Sequence, residues 1–171
     1  TKLDTFSIDT DDAQDFDDAI SISFNEDVYN LKVHIADVSA FVKPDSDLDN
    51  AALQNSNSYY FPEKSYHMLP TELATKYCSL VPGENRLAVS LCFKLNSSGK
   101  ILEERACLSI IKNKHRLTYI EVNDILISPL KTNLEQNIFL LYELHKILKK
   151  NRLKDGALDL VSTESIFSFD S

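Results

Sequence analysis

The sequence predicts an α+β domain in which a largely antiparallel β-sheet is flanked by helices. Two observations support this fold class. Segments that alternate apolar and polar residues, typical of strands with one buried face, dominate the chain up to residue 111. Segments in which apolar residues recur at helical spacing follow residue 118. The 171 residues are 43% hydrophobic and 26% charged, which is typical of one globular domain, here 1–171.

The predicted strands begin near the N-terminus and form hairpins. The turn residues Asn25, Glu26 and Asp27 lie between two alternating segments, which predicts a hairpin. A second turn, from Asn96 to Gly99, separates two longer alternating segments in the same way. The predicted strands are 6–8, 19–24, 29–35, 87–95, 101–111 and 158–161.

Four helices are predicted from their caps and their apolar spacing. Thr118 followed three residues later by Glu121 is a capping box, in which each side chain accepts from the other residue's backbone N–H. The longest helical segment carries basic residues at its end, where the helix dipole favours them. The predicted helices run from 46 or 47 to 54, from the cap Thr71 to 77, from 118 to 127, and from 133 or 134 to about 154.

The stretch 9–18 reads DTDDAQDFDD, and six of its ten residues are aspartates. No Lys or Arg lies between Lys2 and Lys32 to neutralise them locally. Carboxylates held close together resist joint ionisation, so either some of them protonate with a raised pKa or a metal ion supplies positive charge. Oxygen ligands of this kind favour Mg²⁺, Mn²⁺ or Ca²⁺ over zinc or copper. Because predicted strands flank the stretch, we expect a pinned loop rather than a solvated acidic turn.

The spacing within this aspartate loop limits its geometry. A fully extended chain from Asp9 to Asp15 would span roughly 20 Å, which is too far for one metal centre. The loop must therefore fold back to bring Asp9 near Asp15, Asp17 and Asp18. With that fold, four carboxylates could hold two ions at the roughly 3.5 to 4 Å separation that phosphoryl-transfer sites use.

A calcium-binding EF-hand is the obvious alternative for this stretch. A loop that starts at Asp15 would have Ile20 at its sixth position, where the turn requires glycine. A loop that starts at Asp9 would have Gln14 at the sixth position and Ile20 at the twelfth. Both registers fail, and the flanking segments have the period of strands rather than helices.

Five blocks of the sequence follow one another in a recognisable order: FSIDTDDAQDFDDAISI, LKVHIADVSAFVKPDSDLDNAAL, SYYFPEKSYHMLPTEL, CSLVPGENRLAVS and KHRLTY. Together they resemble the catalytic RNB domain of the ribonuclease II and ribonuclease R family. The similarity runs from about Phe6 to Asp159 and covers the first half of the family's domain. The resemblance therefore implies the N-terminal part of an RNB-like fold.

The resemblance also implies an activity and a set of site residues. Asp9, Asp15, Asp17 and Asp18 fall on the family's catalytic, metal-binding aspartates, which implies Mg²⁺, or else Mn²⁺, as cofactor. The reaction implied is metal-assisted hydrolysis that removes nucleotides one at a time from the 3′ end of single-stranded RNA and releases 5′-nucleoside monophosphates. The other two aspartates of the loop, Asp11 and Asp12, do not match metal positions.

Tyr60 falls where the family has an aromatic residue that stacks on the terminal nucleotides of the RNA. Stacking needs only a π face, which suits degradation with little sequence preference. The alternative is that Tyr59, Tyr60 and Phe61 simply pack in the core, and we expect at least one of the three to do so.

Several other polar residues have two interpretations each. His34 could approach the aspartate loop, but a hydrogen-bonded structural histidine is at least as well supported. Asp37 is expected to anchor the local backbone. The basic residues at 112–116 could contact phosphates, whereas those at 149–154 are better explained as helix-end charge.

Charge and composition bound the partners and the compartment. The net charge of −8 argues against a nucleic-acid partner, but 11 of the 18 basic residues lie between Lys100 and Lys154, so RNA is not excluded. No apolar run approaches the roughly 20 residues that span a bilayer, so no membrane association is expected. Three widely spaced cysteines favour a reducing compartment, and we expect a cytoplasmic protein.

The chain begins with Thr1 rather than Met, so we expect it to come from a longer protein. By the resemblance, the rest of the RNB domain and the flanking RNA-binding barrels should belong to the full-length protein. An arginine and a glutamate near the reacting phosphate come from that missing half. The alternative function is a catalytically inactive RNA-binding or scaffold remnant of the same fold.

Overall fold

The computed structural model describes residues 4–61 and 64–160 of the chain. These residues form eight strands, three α-helices and two shorter helical segments. The strands are β1 (Phe6–Asp9), β2 (Asp18–Asn25), β3 (Val28–Ala36), β4 (Tyr59–Tyr60), β5 (Ser65–Tyr66), β6 (Asn85–Asn96), β7 (Ile101–Lys112) and β8 (His115–Thr118). The α-helices are α1 (Asp47–Asn55), α2 (Tyr119–Leu126) and α3 (Asn133–Lys154), and Val38–Ala40 and Leu73–Cys78 form a 3₁₀-helix and a π-helix.

Six of these strands form one sheet in the order β7-β6-β3-β2-β1-β8. Each neighbouring pair is antiparallel except β1 and β8, which run parallel. The short strands β4 and β5 pair with each other as a separate hairpin. The predicted fold class, a largely antiparallel sheet with flanking helices, is therefore confirmed.

The helices pack on the sheet through apolar side chains that the sequence places at regular spacing. One buried cluster joins the β2-β3-β6 part of the sheet to α3 through Leu144, which is 1% exposed. A second joins β1 and β8 to α2 and α3 around Phe6 and Ile138. Both α2 and α3 begin with complete capping boxes, Thr118 with Glu121 and Thr132 with Glu135. These caps fix where each helix starts relative to the sheet.

Three sequence expectations about local structure differ from the fold. Strands β4, β5 and β8 are missing from the predicted set because each has only two to four residues, too few to show a clear period. The helix after Pro70 is largely π-helical, and its first turn closes on the Pro70 carbonyl, so Thr71 lies inside the helix instead of capping it. The strand predicted at 158–161 is wrong for 158–160, which are irregular, and Val161 lies outside the described residues.

No helix within the described ranges is both long enough and apolar enough to cross a membrane.

Candidate active site

The aspartate loop joins two neighbouring strands at one end of the sheet. Asp9 is the last residue of β1 and Asp18 is the first residue of β2, so both ends of the loop are held by strand pairing. Asp9 pairs with Thr118 of β8, and Asp18 pairs with Ile35 of β3. The loop between them makes a turn at 10–13 that reverses the chain. The chain therefore turns back within the loop, and the joint binding of an ion by its aspartates stays a prediction.

Phe16 anchors the centre of this loop in the hydrophobic core. Its ring is 8% exposed, and it packs in a cluster with Leu80 and Cys78, at the end of the π-helix. The Phe16 N–H donates to the hydroxyl of Ser79 at 2.9 Å, and the Phe16 carbonyl accepts from the N–H of Leu80 at 2.8 Å. The same Ser79 hydroxyl donates to the Gln14 carbonyl at 3.3 Å. The backbone on each side of Asp15 is thus fixed by a segment over 60 residues away in the sequence.

Arg116 of β8 braces the other half of the loop. Its Nη2 donates to the carbonyls of Thr10 and Asp11, at 2.6 Å each, and Nη1 lies 3.7 Å from the Asp11 carboxylate. The guanidinium also lies over the Phe16 ring, 5.7 Å from its centroid. The hypothesis that Arg116 contacts phosphate is therefore not needed to explain its position, because the arginine is already engaged by the loop.

The aspartate loop carries a negative charge that Arg116 offsets only in part. Burial raises the pKa of the Asp9 carboxyl, and the charges of Asp18 and Asp15 raise it further, while the Ser7 hydroxyl and Arg116 oppose the shift. Loss of surrounding water raises the pKa of Asp17, followed by the charges of Asp15, Asp18 and Asp9. The four predicted site aspartates therefore act on one another electrostatically.

The donor set suits a hard divalent cation. Among the described atoms, one Asp9 carboxylate oxygen, Oδ2, is buried and has no hydrogen-bond partner, which is a costly arrangement unless a positive group compensates it. Four carboxylates supply the oxygen ligands that Mg²⁺ and Mn²⁺ prefer. Within residues 4–61 and 64–160, no group of three or more acidic, histidine or cysteine side chains is placed so that it could hold a metal ion together. The negative charge of the loop, the buried Asp9 oxygen and the carboxylate donors are thus suited to a divalent cation. Which aspartates bind it stays a prediction.

Tyr60 reaches this loop from the small β4-β5 hairpin. Its hydroxyl donates to Oδ2 of Asp15 at 2.5 Å, while 63% of the residue is exposed. His67, just after β5, lies beside it: its ring is edge-on to the Tyr60 ring, with centroids 6.1 Å apart. The structure therefore brings Tyr60 into contact with Asp15, and its stacking on RNA stays a prediction.

The neighbours of Tyr60 are not core residues. Tyr59 is 51% exposed and Phe61 is 55% exposed. The expectation that at least one of these three aromatic residues packs in the core is therefore wrong. Their hairpin has only two residues per strand and forms a sheet separate from the six-stranded one, which leaves these rings few neighbours to pack against.

His34 has a structural role in the sheet. Its Nε2 lies 3.1 Å from the Ser21 hydroxyl, and its Nδ1 lies 2.6 Å from the Ser90 hydroxyl, which in turn bonds Ser109. Burial lowers the pKa of His34 to about 4, with a smaller contribution from the charge of Lys32. The side chain is 3% exposed, so it serves a buried hydrogen-bond chain and does not face the aspartate loop.

The RNB domain family matches residues 1–171, the whole length of the chain. The chain belongs to the RNB domain family. This RNB domain is 40% identical over 167 residues to Ribonuclease R of Chlamydia muridarum, a match that covers 97% of the chain and 24% of that protein. It is 37% identical over 180 residues to DIS3-like exonuclease 2 of Schizosaccharomyces pombe, covering 96% and 19%. The chain spans about a quarter or less of the length of these relatives.

Solved structures share the same RNB fold. Mycoplasma genitalium RNase R, solved with double-stranded RNA, matches with a TM-score of 0.89 and 28% identity, over 96% of this chain and 30% of that one. Yeast Ssd1, described as a pseudonuclease, matches with a TM-score of 0.78 and 21% identity, over 94% and 20%. At that identity the likeness shows the fold alone. The RNB fold therefore does not by itself establish hydrolysis.

Sequence reasoning missed the supporting roles of four residues at the RNB site. Ser79 and His67 carry no local signal, because their contacts with the loop depend on how distant segments meet. Arg116 stands out in the sequence only as part of a basic segment, which suggested phosphate rather than backbone carbonyls. The buried Phe16 could have been found from its residue type, since phenylalanine is among the residues most often buried.

Proposed function

We propose that this chain is the aspartate-bearing part of a metal-dependent 3′–5′ exoribonuclease. The substrate is single-stranded RNA with a free 3′ end, and the products are 5′-nucleoside monophosphates. Membership of the RNB family and the Ribonuclease R names of its relatives support a ribonuclease. The direction, the products and the metal requirement come from the family resemblance.

One observation supports the metal-dependent reading more than any other. Asp9 holds a buried carboxylate oxygen without a donor in the described part of the chain, and the charges of Asp15 and Asp18 surround it. A fold that served only as a scaffold would gain stability by replacing such a group. Its retention is the expected signature of a cation site.

In this proposal the four aspartates together form the metal-binding site. Asp9, Asp15, Asp17 and Asp18 hold Mg²⁺, with Mn²⁺ as a substitute, and their negative charge is balanced when the ions bind. When held by these residues, such ions would supply a lowered pKa for a water molecule and positive charge against the phosphate and the leaving oxygen. Phe16 and Arg116 hold the loop backbone so that the carboxylates keep their positions during turnover.

Tyr60 supplies the contact with the RNA. Its exposed ring offers a face on which a base can stack, worth about 1 to 3 kcal/mol per base without sequence preference. In the full-length protein, the remaining half of the RNB domain and flanking RNA-binding barrels would complete the RNA-binding surface. A cytoplasmic location stays a prediction.

The second candidate is an inactive RNA-binding or scaffold protein of the same fold. The structural likeness to yeast Ssd1, described as a pseudonuclease, is the observation that favours this candidate. All four site aspartates are present in this chain, which favours the enzyme.

The experiment that separates the two is an Asp17→Asn substitution in the full-length protein, assayed on a 5′-labelled single-stranded RNA. We expect hydrolysis to fall by about a hundredfold or more, since the loss of one electrostatic group in an active site commonly has an effect of this size. RNA affinity in EDTA should change by less than about twofold. Asp12→Asn, in an exposed position of the same loop, is the matched control and should cleave normally. Equal cleavage by Asp17→Asn and the unmodified protein would contradict the proposal.

A further inference from the structure

Tyr60 exposes its ring to solvent and contacts the aspartate loop through its hydroxyl. Its ring is exposed to solvent, while its hydroxyl donates to Asp15 Oδ2 at 2.5 Å, across 45 residues of sequence. The hydrogen bond runs to a carboxylate, and bonds to charged acceptors are about twice as strong as neutral ones. The same side chain can therefore meet a base with its face and hold a site aspartate with its tip.

His67 fixes this arrangement from the side. Its side chain is 8% exposed, and its ring meets the Tyr60 ring nearly perpendicularly, at 86°. Its Nδ1 lies 3.8 Å from Asp15 Oδ2, the oxygen that Tyr60 already bonds, and has no hydrogen-bond partner among the described atoms. A buried nitrogen left without a partner beside a carboxylate is costly, so it is a sign of a constrained site.

We propose that Tyr60 is a positioning residue for Asp15 as well as the stacking residue for RNA, with His67 holding its ring in place. Through this one side chain, the nucleotide-binding surface and the aspartate loop are mechanically coupled. The inference rests on the proposed function, because it takes Asp15 to be a metal ligand and the exposed ring to receive a base.

The two roles of Tyr60 use different atoms, so they can be separated chemically. Tyr60→Phe keeps the ring and removes the oxygen that donates to Asp15. Tyr60→Leu removes both the π face and the hydroxyl. Hydrogen-bond partners that orient a ligating carboxylate typically change metal affinity or activity by about 10- to 100-fold when they are lost. Stacking, in contrast, affects the affinity for RNA and does not require metal.

The test uses the full-length enzyme and two readouts besides turnover. Calorimetric titration with Mn²⁺ gives the metal affinity of the RNA-free protein, and fluorescence anisotropy in EDTA gives the affinity for a single-stranded oligoribonucleotide. We expect Tyr60→Phe to weaken Mn²⁺ binding about tenfold or more and to leave RNA affinity within about twofold. Tyr60→Leu should weaken both. Tyr59→Phe, on the adjacent exposed tyrosine, is the matched control and should change neither.

His67 gives an independent check through a double-mutant cycle. Since its Nδ1 faces the same Asp15 oxygen, it can take over part of the hydrogen bonding when the Tyr60 hydroxyl is gone. The loss of Mn²⁺ affinity in Tyr60→Phe combined with His67→Leu should therefore differ from the product of the two single losses by about threefold or more. Strictly multiplicative losses would show that the two side chains act on Asp15 separately and would contradict the role given to His67.

The outcomes also distinguish this inference from the proposed function. If the unmodified enzyme binds Mn²⁺ and Tyr60→Phe binds it equally well, the coupling is wrong and the exoribonuclease assignment is untouched. If the unmodified enzyme takes up no Mn²⁺ at all, with or without RNA, the metal-dependent function fails and the coupling fails with it. If Tyr60→Phe loses RNA affinity in EDTA and keeps its Mn²⁺ affinity, the hydroxyl serves the RNA instead of Asp15.

Discussion

The hydroxyl of Ser79 accepts a hydrogen bond from the backbone N–H of Phe16 at 2.9 Å, in a position where Ser79 is fully buried. This bond ties the end of the π-helix to the centre of the aspartate loop. The geometry of the site therefore depends on a residue that contains no titratable group and contacts no substrate.

Ser79→Ala tests this support directly. The substitution leaves the buried Phe16 N–H without an acceptor, which costs about 1 to 3 kcal/mol. We expect a lower free energy of unfolding, measured by urea denaturation, and a lower kcat as the loop loosens. Ser97→Ala, at an exposed turn position, is the control and should change the free energy by less than about 0.5 kcal/mol. Identical unfolding curves for Ser79→Ala and the unmodified protein would refute the bracing role.

Arg116→Lys separates a loop-bracing arginine from a phosphate-binding one. Lysine keeps the positive charge but cannot bridge the carbonyls of Thr10 and Asp11 with a planar fork. We expect kcat to fall by about tenfold or more while RNA affinity in EDTA changes by less than about twofold. Lys112→Gln, an exposed residue preceding β8, serves as the comparison. A salt-dependent loss of RNA affinity in Arg116→Lys, with kcat preserved, would support phosphate contact instead.

Asp9→Asn should stabilise the metal-free protein while it abolishes hydrolysis. The folded-state pKa of Asp9 lies above its ordinary value, so the folded state binds the proton more tightly than the unfolded state does. This contribution favours folding at acidic pH and is lost as the pH rises through the raised pKa, which leaves an ionised, destabilising carboxylate at pH 7. Removing the charge should raise the Tm in EDTA by about 1 to 3 °C in a thermal scan.

Asp12→Asn should not raise the Tm in the same thermal scan. The Thr10 hydroxyl lowers the pKa of Asp12, so ionised Asp12 favours the folded state. Its replacement should leave the Tm in EDTA unchanged or slightly lower. If both substitutions raised the Tm equally, a general reduction of negative charge would explain the effect. The specific destabilisation by ionised Asp9 would then be disproved.

His34 should make the domain sensitive to mild acid. Its pKa of about 4 in the folded state lies below the ordinary value near 6.5, so the unfolded chain binds the proton more readily. The stability it contributes is present above pH 6.5 and is lost as the pH falls toward 4, by on the order of 2 to 3 kcal/mol. We expect the stability difference between the unmodified protein and His34→Gln, measured by urea denaturation, to shrink across this range. A constant difference would contradict a neutral, buried His34.

The strands around the site could be predicted because local pattern and tertiary environment agree there. The alternation in β2 and β3, and the turn residues Glu26 and Asp27 between them, indicate the hairpin that places Asp18 at a strand end. Both turn residues have positive φ, which such a tight turn requires. The capping box at Thr118 likewise predicts the start of α2 without any tertiary information.

The supports of the site could not be predicted, because they depend on contacts between distant segments. Arg116 reaches the carbonyl of Thr10 across 106 residues, and β8, which carries it, is only four residues long and pairs in parallel with β1. The exposure of Tyr59 and Phe61 was missed for a related reason. An aromatic run is apolar by composition, and its exposure follows only from its place on a small hairpin outside the six-stranded sheet.

Uptake of Mg²⁺ by the full-length protein, bound to a non-hydrolysable single-stranded oligoribonucleotide and followed by isothermal titration calorimetry, tests the central claim most directly. The account predicts saturable uptake that disappears when Asp9 and Asp17 are both replaced by asparagine and that persists in Asp12→Asn. No uptake by the unmodified complex, or uptake unchanged by the double replacement, would contradict the assignment of the aspartate loop as the metal site.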